Sequence, residues 1–321
     1  MSTSAPARAS SDASAVEQRT GATGNRPSAH ARREARTGWL WVQSWLVGFL
    51  LFTLFPLAFS LYLAFTEWNG RGAPRWIGLQ NFSTLAVDPL FWQSVKVTAV
   101  FSVLYLPLSL VIGFGMAMLM NQRLRGVRVF RTIYYLPSVL SGVAVAVLWQ
   151  FVFNRDYGLA NWLLSLVGVG PVNWLQDSSW VIPALVIMQL WGVGSSIIIY
   201  LGGLQGIPTE LYEVASMDGA GFWRTLTSVT LPMMSPVIFF QVVLGIISTL
   251  QIFTQAYIMT GGGPNYGSYF LSLNIFNQAF TNLRLGYSSA IAWVLFLMIL
   301  AITLVIFRTS KYWVHDPNRR D

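Results

Sequence analysis

Six apolar runs divide this chain of 321 residues, at 39–66, 97–120, 132–153, 180–204, 237–258 and 287–307. A bilayer core of about 30 Å requires roughly 20 consecutive, mostly apolar residues in a helix, and each run meets that length. Composition agrees, with 54% hydrophobic and 10% charged residues. The period-two alternation of a transmembrane barrel is absent. The expected fold is therefore an all-α membrane protein of six transmembrane helices, which places both termini on one side.

Basic residues say which side. Short cytoplasmic segments keep an excess of positive charge, and fifteen of the twenty Lys and Arg residues fall on one face. They are Arg8, Arg19, Arg26, Arg32, Arg33 and Arg36 before the first run, Arg123, Arg125, Arg128 and Arg131 after the second, Arg224 after the fourth, and Arg308, Lys311, Arg319 and Arg320 after the last. That face is expected to be cytoplasmic, with the arginines explained by orientation and anionic lipid rather than by nucleic acid. Arg71, Arg75, Lys96, Arg155 and Arg284 fall on the other face.

Residues 1–37 are rich in Ser, Ala, Thr, Gly and Arg. Such a segment cannot bury enough surface to offset the entropy of ordering, so a disordered basic tail is expected there, with the membrane domain covering 38–321. The first run is too long for a cleaved signal and reads as a retained anchor.

Absent chemistry narrows the function. The chain has no cysteine, and its two histidines, His30 and His315, lie in the tails, so thiol, Cys-metal and histidine catalysis lose their residues. Lys96 and Lys311 are the only lysines, and neither completes a phosphate-cradling GxxxxGK[ST] loop. None of the six runs holds Asp, Glu, His, Lys or Arg, so a proton relay has no carrier. A sodium-coupled or passive carrier keeps some room. A membrane-embedded transferase would need converging acids, whereas Glu67, Asp88, Asp156 and Asp177 are scattered over outer loops. What the runs do carry is neutral: Gln43, Gln150, Gln189, Gln241, Gln251, Gln255, hydroxyls and tryptophans. Amides and aromatic faces suit an uncharged polyhydroxylated solute, although each glutamine could equally bond a neighbouring helix.

The stretch "ELYEVASMDGAGFWRTLTSVTLP", residues 210–232, breaks the pattern. Pro208 and Thr209 mark a helix start, with Thr209 as N-cap. Leu211, Val214, Ala215 and Met217 share one apolar side against Glu210, Glu213 and Asp218, and Gly219 and Gly221 bracket a corner. A second short helix with Phe222, Trp223, Leu226 and Val229 is expected, then a span entered through "LPMMSP". Two short helices with an apolar side must dock on something or lie on the bilayer.

This stretch resembles the EAA loop of ABC importer permeases. Glu213, Val214, Ala215, Asp218, Gly219, Ala220, Leu226, Val229, Leu231 and Pro232 match its spacing, with Val214 and Leu226 as mild departures. "IGLQNF" with "DPLFWQSVKVT", and "TGGGP" with "AFTNLRLGYSSAIAW", are similar to the first and last outer loops of maltose-type carbohydrate permeases. The resemblance implies a type I importer fold and a coupling loop over about 205–235 that docks on a cytoplasmic ATPase through Glu213, Ala215, Asp218, Gly219, Ala220, Phe222, Leu231 and Pro232. It implies a sugar pathway near Gly192, Ser195, Ser248, Thr249 and Ile252. Gln189, Trp191, Gln251 and Gln255 join these on chemical grounds. The implied partners are a second permease chain, two ATPase subunits that bind ATP and Mg²⁺, and an extracytoplasmic sugar-binding protein, in a bacterial plasma membrane. No catalytic residue, metal or cofactor is expected in this chain itself.

Overall fold

The computed structural model describes residues 29–122 and 126–315. Positions 1–28 of the expected tail, together with Arg123, Arg125, Arg319 and Arg320, lie outside the described residues. From Ala29 the chain is already helical, ahead of the expected boundary at residue 37.

The described residues fall into two compact units, divided between Ala58 and Phe59. In the first, α1 (Ala29–Phe49) runs into a π-helical turn at Leu50–Leu54. Trp45 stacks on Phe49 there at 5.4 Å. Helix α2 (Phe55–Ala64) comes directly after, and Trp41–Ala64 as a whole is long and apolar enough to cross a membrane.

The second unit continues with a two-stranded antiparallel ribbon, β1 (Thr66–Glu67) and β2 (Arg75–Trp76), a small departure from the all-α expectation. Arg75 pairs with Glu67 across it. Helix α3 (Gln80–Val87) is pinned by Asn81, whose Nδ2 donates to the carbonyls of Ala64 and Thr66 at 2.9 Å. Helix α4 (Pro89–Asn121) begins earlier than the apolar run and takes Lys96 into its first turns. Asp88 caps it by accepting from the Leu90 N–H at 2.9 Å, as the short acidic side chain before a Pro-led helix should.

The third and fourth apolar runs are not straight helices. Helices α5 (Val127–Val139) and α6 (Gly142–Val152) meet at a bend of 103°. After α7 (Leu159–Leu166), helices α8 (Val181–Trp191) and α9 (Gly194–Gln205) meet at 50°. Pro137 and the Ser141–Gly142 pair punctuate the first bend, and the Gly-Val-Gly at 192–194 the second.

Helix α10 (Thr209–Met217) leads to α11 (Phe222–Thr225), a π-helical turn at Leu226–Thr230 and α12 (Leu231–Leu250). The second short helix is thus the start of the next span: Phe222–Met259 is one apolar stretch, which includes α13 (Thr254–Met259) beyond a break at Gln251–Phe253. Helix α14 (Leu271–Phe276) passes through a π-helical turn at Asn277–Thr281, and α15 (Leu285–Ser310) is the last helix among the described residues.

Between apolar helices in lipid, dispersion packing and interhelical hydrogen bonds replace the hydrophobic drive. One packing nucleus joins α4, α9 and α12 through Ala117, Tyr200 and Met234. Another holds Phe101, Leu185, Ala256 and Phe270. A third sets Leu250 and Leu271 against Ile291. Three hydrogen bonds pair buried polar groups across elements: Asn274 Nδ2 donates to Ser94 Oγ at 3.3 Å, the Leu271 N–H donates to Thr98 Oγ1 at 3.0 Å, and Tyr287 Oη donates to Asp88 Oδ2 at 2.6 Å.

Candidate functional site

The segment from Thr209 to Pro232 is built around one left-handed residue. Gly219 has φ +71°, a value that costs an L side chain about 1–2 kcal/mol. It lets the Ala220 N–H reach the Ala215 carbonyl at 2.9 Å and the Gly219 N–H the Ser216 carbonyl at 3.0 Å. These paired 6→1 and 5→2 bonds close the C-terminus of α10. Gly221 then turns extended and α11 starts. The N-terminal end differs from expectation, because Pro208 occupies the cap position and no side chain caps it. Thr209 is the first helical residue instead.

This corner sorts its apolar side chains into two sets. Leu226, Val229, Leu231 and Pro232 sit at the root of α12, where Leu226, Leu231 and Pro232 are half-buried. Tyr212 Oη lies 3.3 Å from Thr230 Oγ1, tying α10 to that root. Leu211, Val214, Met217, Phe222 and Trp223 remain exposed, Met217 to 79% and Trp223 to 74%. Glu213, Asp218 and Gly219 are exposed beside them, while Ala215 and Ala220 are half-buried. The bundle's own described helices do not cover this set. The end of the described chain returns to the same root: the His315 N–H donates to Ser235 Oγ at 2.7 Å, and Trp313 packs edge-on to Phe239 at 6.0 Å.

A second cluster forms where three helices are interrupted. Gln189 on α8 and Gln255 on α13 are both half-buried, and Gln255 Nε2 donates to Gln189 Oε1 at 3.3 Å. Gly142, first residue of α6, faces the same Gln255 amide. Trp191 ends α8 and meets Trp149 edge-on at 6.0 Å. The Trp149 indole N–H is buried without an acceptor. Gly194 opens α9 directly against the Tyr134 carbonyl, so a Cβ there would overlap backbone. Gln150 Nε2 donates to the Ile258 carbonyl at 2.8 Å, holding α6 to α13. Helix interruptions leave backbone polar groups that lipid cannot satisfy, and they are tolerated in a membrane where protein or a water-filled cavity surrounds them.

Of the pathway residues expected from sequence, Gln189, Trp191, Gly192 and Gln255 meet here, with Ser195 and Gln251 on exposed positions beside the breaks. Ser248 donates its hydroxyl to the Gly245 carbonyl of its own helix at 2.9 Å. Thr249 and Ile252 are placed differently, being 2% and 5% exposed and turned into the packed interior. Neither presents a polar atom to open space, since Thr249 Oγ1 donates to the Ile246 carbonyl. The α5–α6 break and its neighbours Trp149 and Gly142 are additions that the structure makes to the expected set. Pro137 with Ser141–Gly142 is their signal, hidden inside a run that is apolar at both ends.

Three of the four dispersed carboxylates have structural partners. Glu67 pairs with Arg75, Asp88 holds α4 and Tyr287, and Asp177 accepts from the Ser179 N–H at 2.8 Å. Outside the spans, burial raises the Tyr269 phenol above its ordinary pKa, so it serves as a neutral hydrogen-bonding group with Asn277 at 3.2 Å.

Comparison with known proteins places this geometry. The family described as the binding-protein-dependent transport system inner membrane component matches residues 106–314, which takes in both clusters. A probable ABC transporter permease protein of Bacillus subtilis, YesP, is 38% identical over 306 residues, covering 94% of this chain and 99% of that protein. The trehalose/maltose transport system permease protein MalF of Thermococcus litoralis is 34% identical over 284 residues, covering 87% and 95%. A crystal structure of a bacterial ABC transporter involved in the import of the acidic polysaccharide alginate superimposes with a TM-score of 0.77 at 25% identity, over 88% of this chain and 98% of that one. With the corner at Gly219, the interrupted spans and the outer loops all inside shared length, the chain belongs to the family of binding-protein-dependent transport system inner membrane components.

Proposed function

We propose that this chain is the transmembrane permease subunit of an ATP-driven importer for an uncharged sugar or oligosaccharide, and that residues 205–235 couple a cytoplasmic ATPase to alternating access. The observation that carries the reading is the exposed set Met217, Phe222 and Trp223 beside Glu213 and Asp218. Aromatic anchors ringed by polar residues are the composition of a protein interface. In this reading each bent pair counts as one span, giving six, with both termini cytoplasmic in a bacterial plasma membrane. A second permease chain completes the pathway, two ATPase subunits bind ATP and Mg²⁺, and an external binding protein delivers the solute.

The uncharged substrate is supported by the neutral lining at the helix breaks, where Gln189, Gln255, Trp149 and Trp191 offer amides and ring faces. Tilting of the segments about the breaks at 140–141, 192–193 and 251–253 would open this lining to one side and then the other.

The test is uptake into inverted and right-side-out vesicles with and without ATP. Gly219→Trp and Glu213→Lys should each abolish ATP-dependent uptake while the chain is inserted and produced at normal levels. Normal uptake in both variants, or uptake that needs no ATP, would replace this reading with that of a self-sufficient carrier.

A further inference from the structure

The root of α12 carries two prolines four residues apart, Pro232 and Pro236. A proline in a helix has no N–H to give the carbonyl four residues before it, so Pro236 leaves the Pro232 carbonyl without that bond. Ser235 supplies a donor instead, its Oγ reaching the Pro232 carbonyl at 2.6 Å. With its one proton spent there, the hydroxyl can still accept, and the His315 N–H donates to it at 2.7 Å. Ser235 is buried, which shields both bonds from water. The link uses the backbone of His315, not its imidazole.

This relay joins the corner to a second span. The Val314 N–H donates to the Ser310 carbonyl at 2.8 Å and the Trp313 N–H to the same carbonyl at 3.1 Å, so the segment ending at His315 continues the last turn of α15. Phe239 on α12 packs edge-on to Phe307 on α15 at 4.9 Å and to Trp313 at 6.0 Å. On the other side, Tyr212 holds α10 to Thr230, two residues ahead of Pro232. A cavity of about 500 Å³ lies between the root and residues 312–315, so the segment is pinned at points rather than packed along its length.

We propose that residues 312–315 are a clasp that ties the corner at 209–232 to α15, with Ser235 as its positioning residue, so that the corner moves as one piece with this end of the last span. The proposal rests on reading 205–235 as the coupling segment. The prolines explain why a second tie is useful. A first turn that has lost backbone bonds bends under load, and a push delivered through α12 alone would be absorbed there. The clasp runs from the Pro232 carbonyl to α15 and bypasses the soft turn.

Because the chain contains no cysteine, Met217→Cys combined with Tyr312→Cys puts spin labels on the corner and on the clasp, both at exposed positions. The distance distribution between them is read by double electron–electron resonance on the full chain in lipid nanodiscs. It should be single and narrow in this parent, and several-fold broader in Ser235→Ala, which removes the hydroxyl, and in His315→Pro, which removes the N–H. Ser235→Thr keeps a hydroxyl and His315→Ala keeps the N–H, so both should retain the narrow distribution. Should Ser235→Ala fail to accumulate, His315→Pro decides. Distributions in Ser235→Ala and His315→Pro as narrow as the parent's overturn the proposal, and so does broadening in His315→Ala. In the assembly purified with its ATPase, ATP and Mg²⁺ should leave the parent's distance unchanged and shift it in Ser235→Ala; a shift in the parent overturns the joint movement. The free-chain measurement needs neither ATP nor an ATPase, so a broad parent distribution counts against the clasp alone, and normal uptake in Gly219→Trp and Glu213→Lys against the coupling reading.

Discussion

The corner at 209–232 and the helix-break cluster differ in where their residues come from and in what holds them. The corner is contiguous in sequence and held by local backbone bonds around Gly219, with Met217, Phe222 and Trp223 left uncovered. The break cluster draws Tyr134, Gly142, Trp149, Gln189, Gly194 and Gln255 from six places in the chain and is held by contacts between helices. A site that must meet another protein can be locally folded and open. One that must enclose a small solute within the membrane has to be assembled by packing, and it inherits the sensitivity of a core.

That contrast can be broken by substitutions that should divide cleanly between stability and association. The largest effect is expected for Gly194→Leu. Its side chain would meet the Tyr134 backbone, which cannot swing aside as a side chain can, and overpacking of this kind costs about 1–3 kcal/mol. A marked fall in melting temperature and in yield of folded chain is the expected readout, and an unchanged melt would mean the α5–α9 approach is not tight.

Trp223→Ala should behave in the opposite way. With the ring 74% exposed, the melt should shift by no more than about 0.5 kcal/mol. Affinity for the ATPase should fall by about 2 kcal/mol, roughly 30-fold, as for a central aromatic anchor. Equal binding of wild type and variant in a detergent pull-down titration would remove the ring from the interface.

Gln255→Leu sharpens the comparison with the smallest change. It breaks one amide pair between half-buried partners, worth about 1 kcal/mol, and should raise KM for the transported sugar with ATPase binding unaltered. A KM equal to that of the wild type would take this pair off the solute path.

The same difference explains why one site is legible in the sequence and the other only in part. The corner is legible nearly residue by residue, because a Gly after an amphipathic turn predicts a left-handed helix end from local sterics alone. The N-cap is the exception: Thr209 has the right chemistry, but Pro208 ahead of it takes the cap position. At the break cluster the residue types are legible and their partners are not. Gln189 and Gln255 stand out as amides in apolar runs, yet nothing local says that they bond each other across 66 positions. Thr249 and Ile252 show the converse, because a position inherited by resemblance still faces wherever its own segment packs, here into the interior.

Hydropathy over windows of some twenty residues, and the steric freedom of single glycines, determined that this chain is a helical membrane protein with a polar, cornered insertion between two spans. Both act over short stretches of chain, so the sequence alone carries them. Packing decided which apolar runs bend, which amides pair and which faces stay open. Those outcomes depend on groups far apart in sequence being brought within a few ångströms of one another.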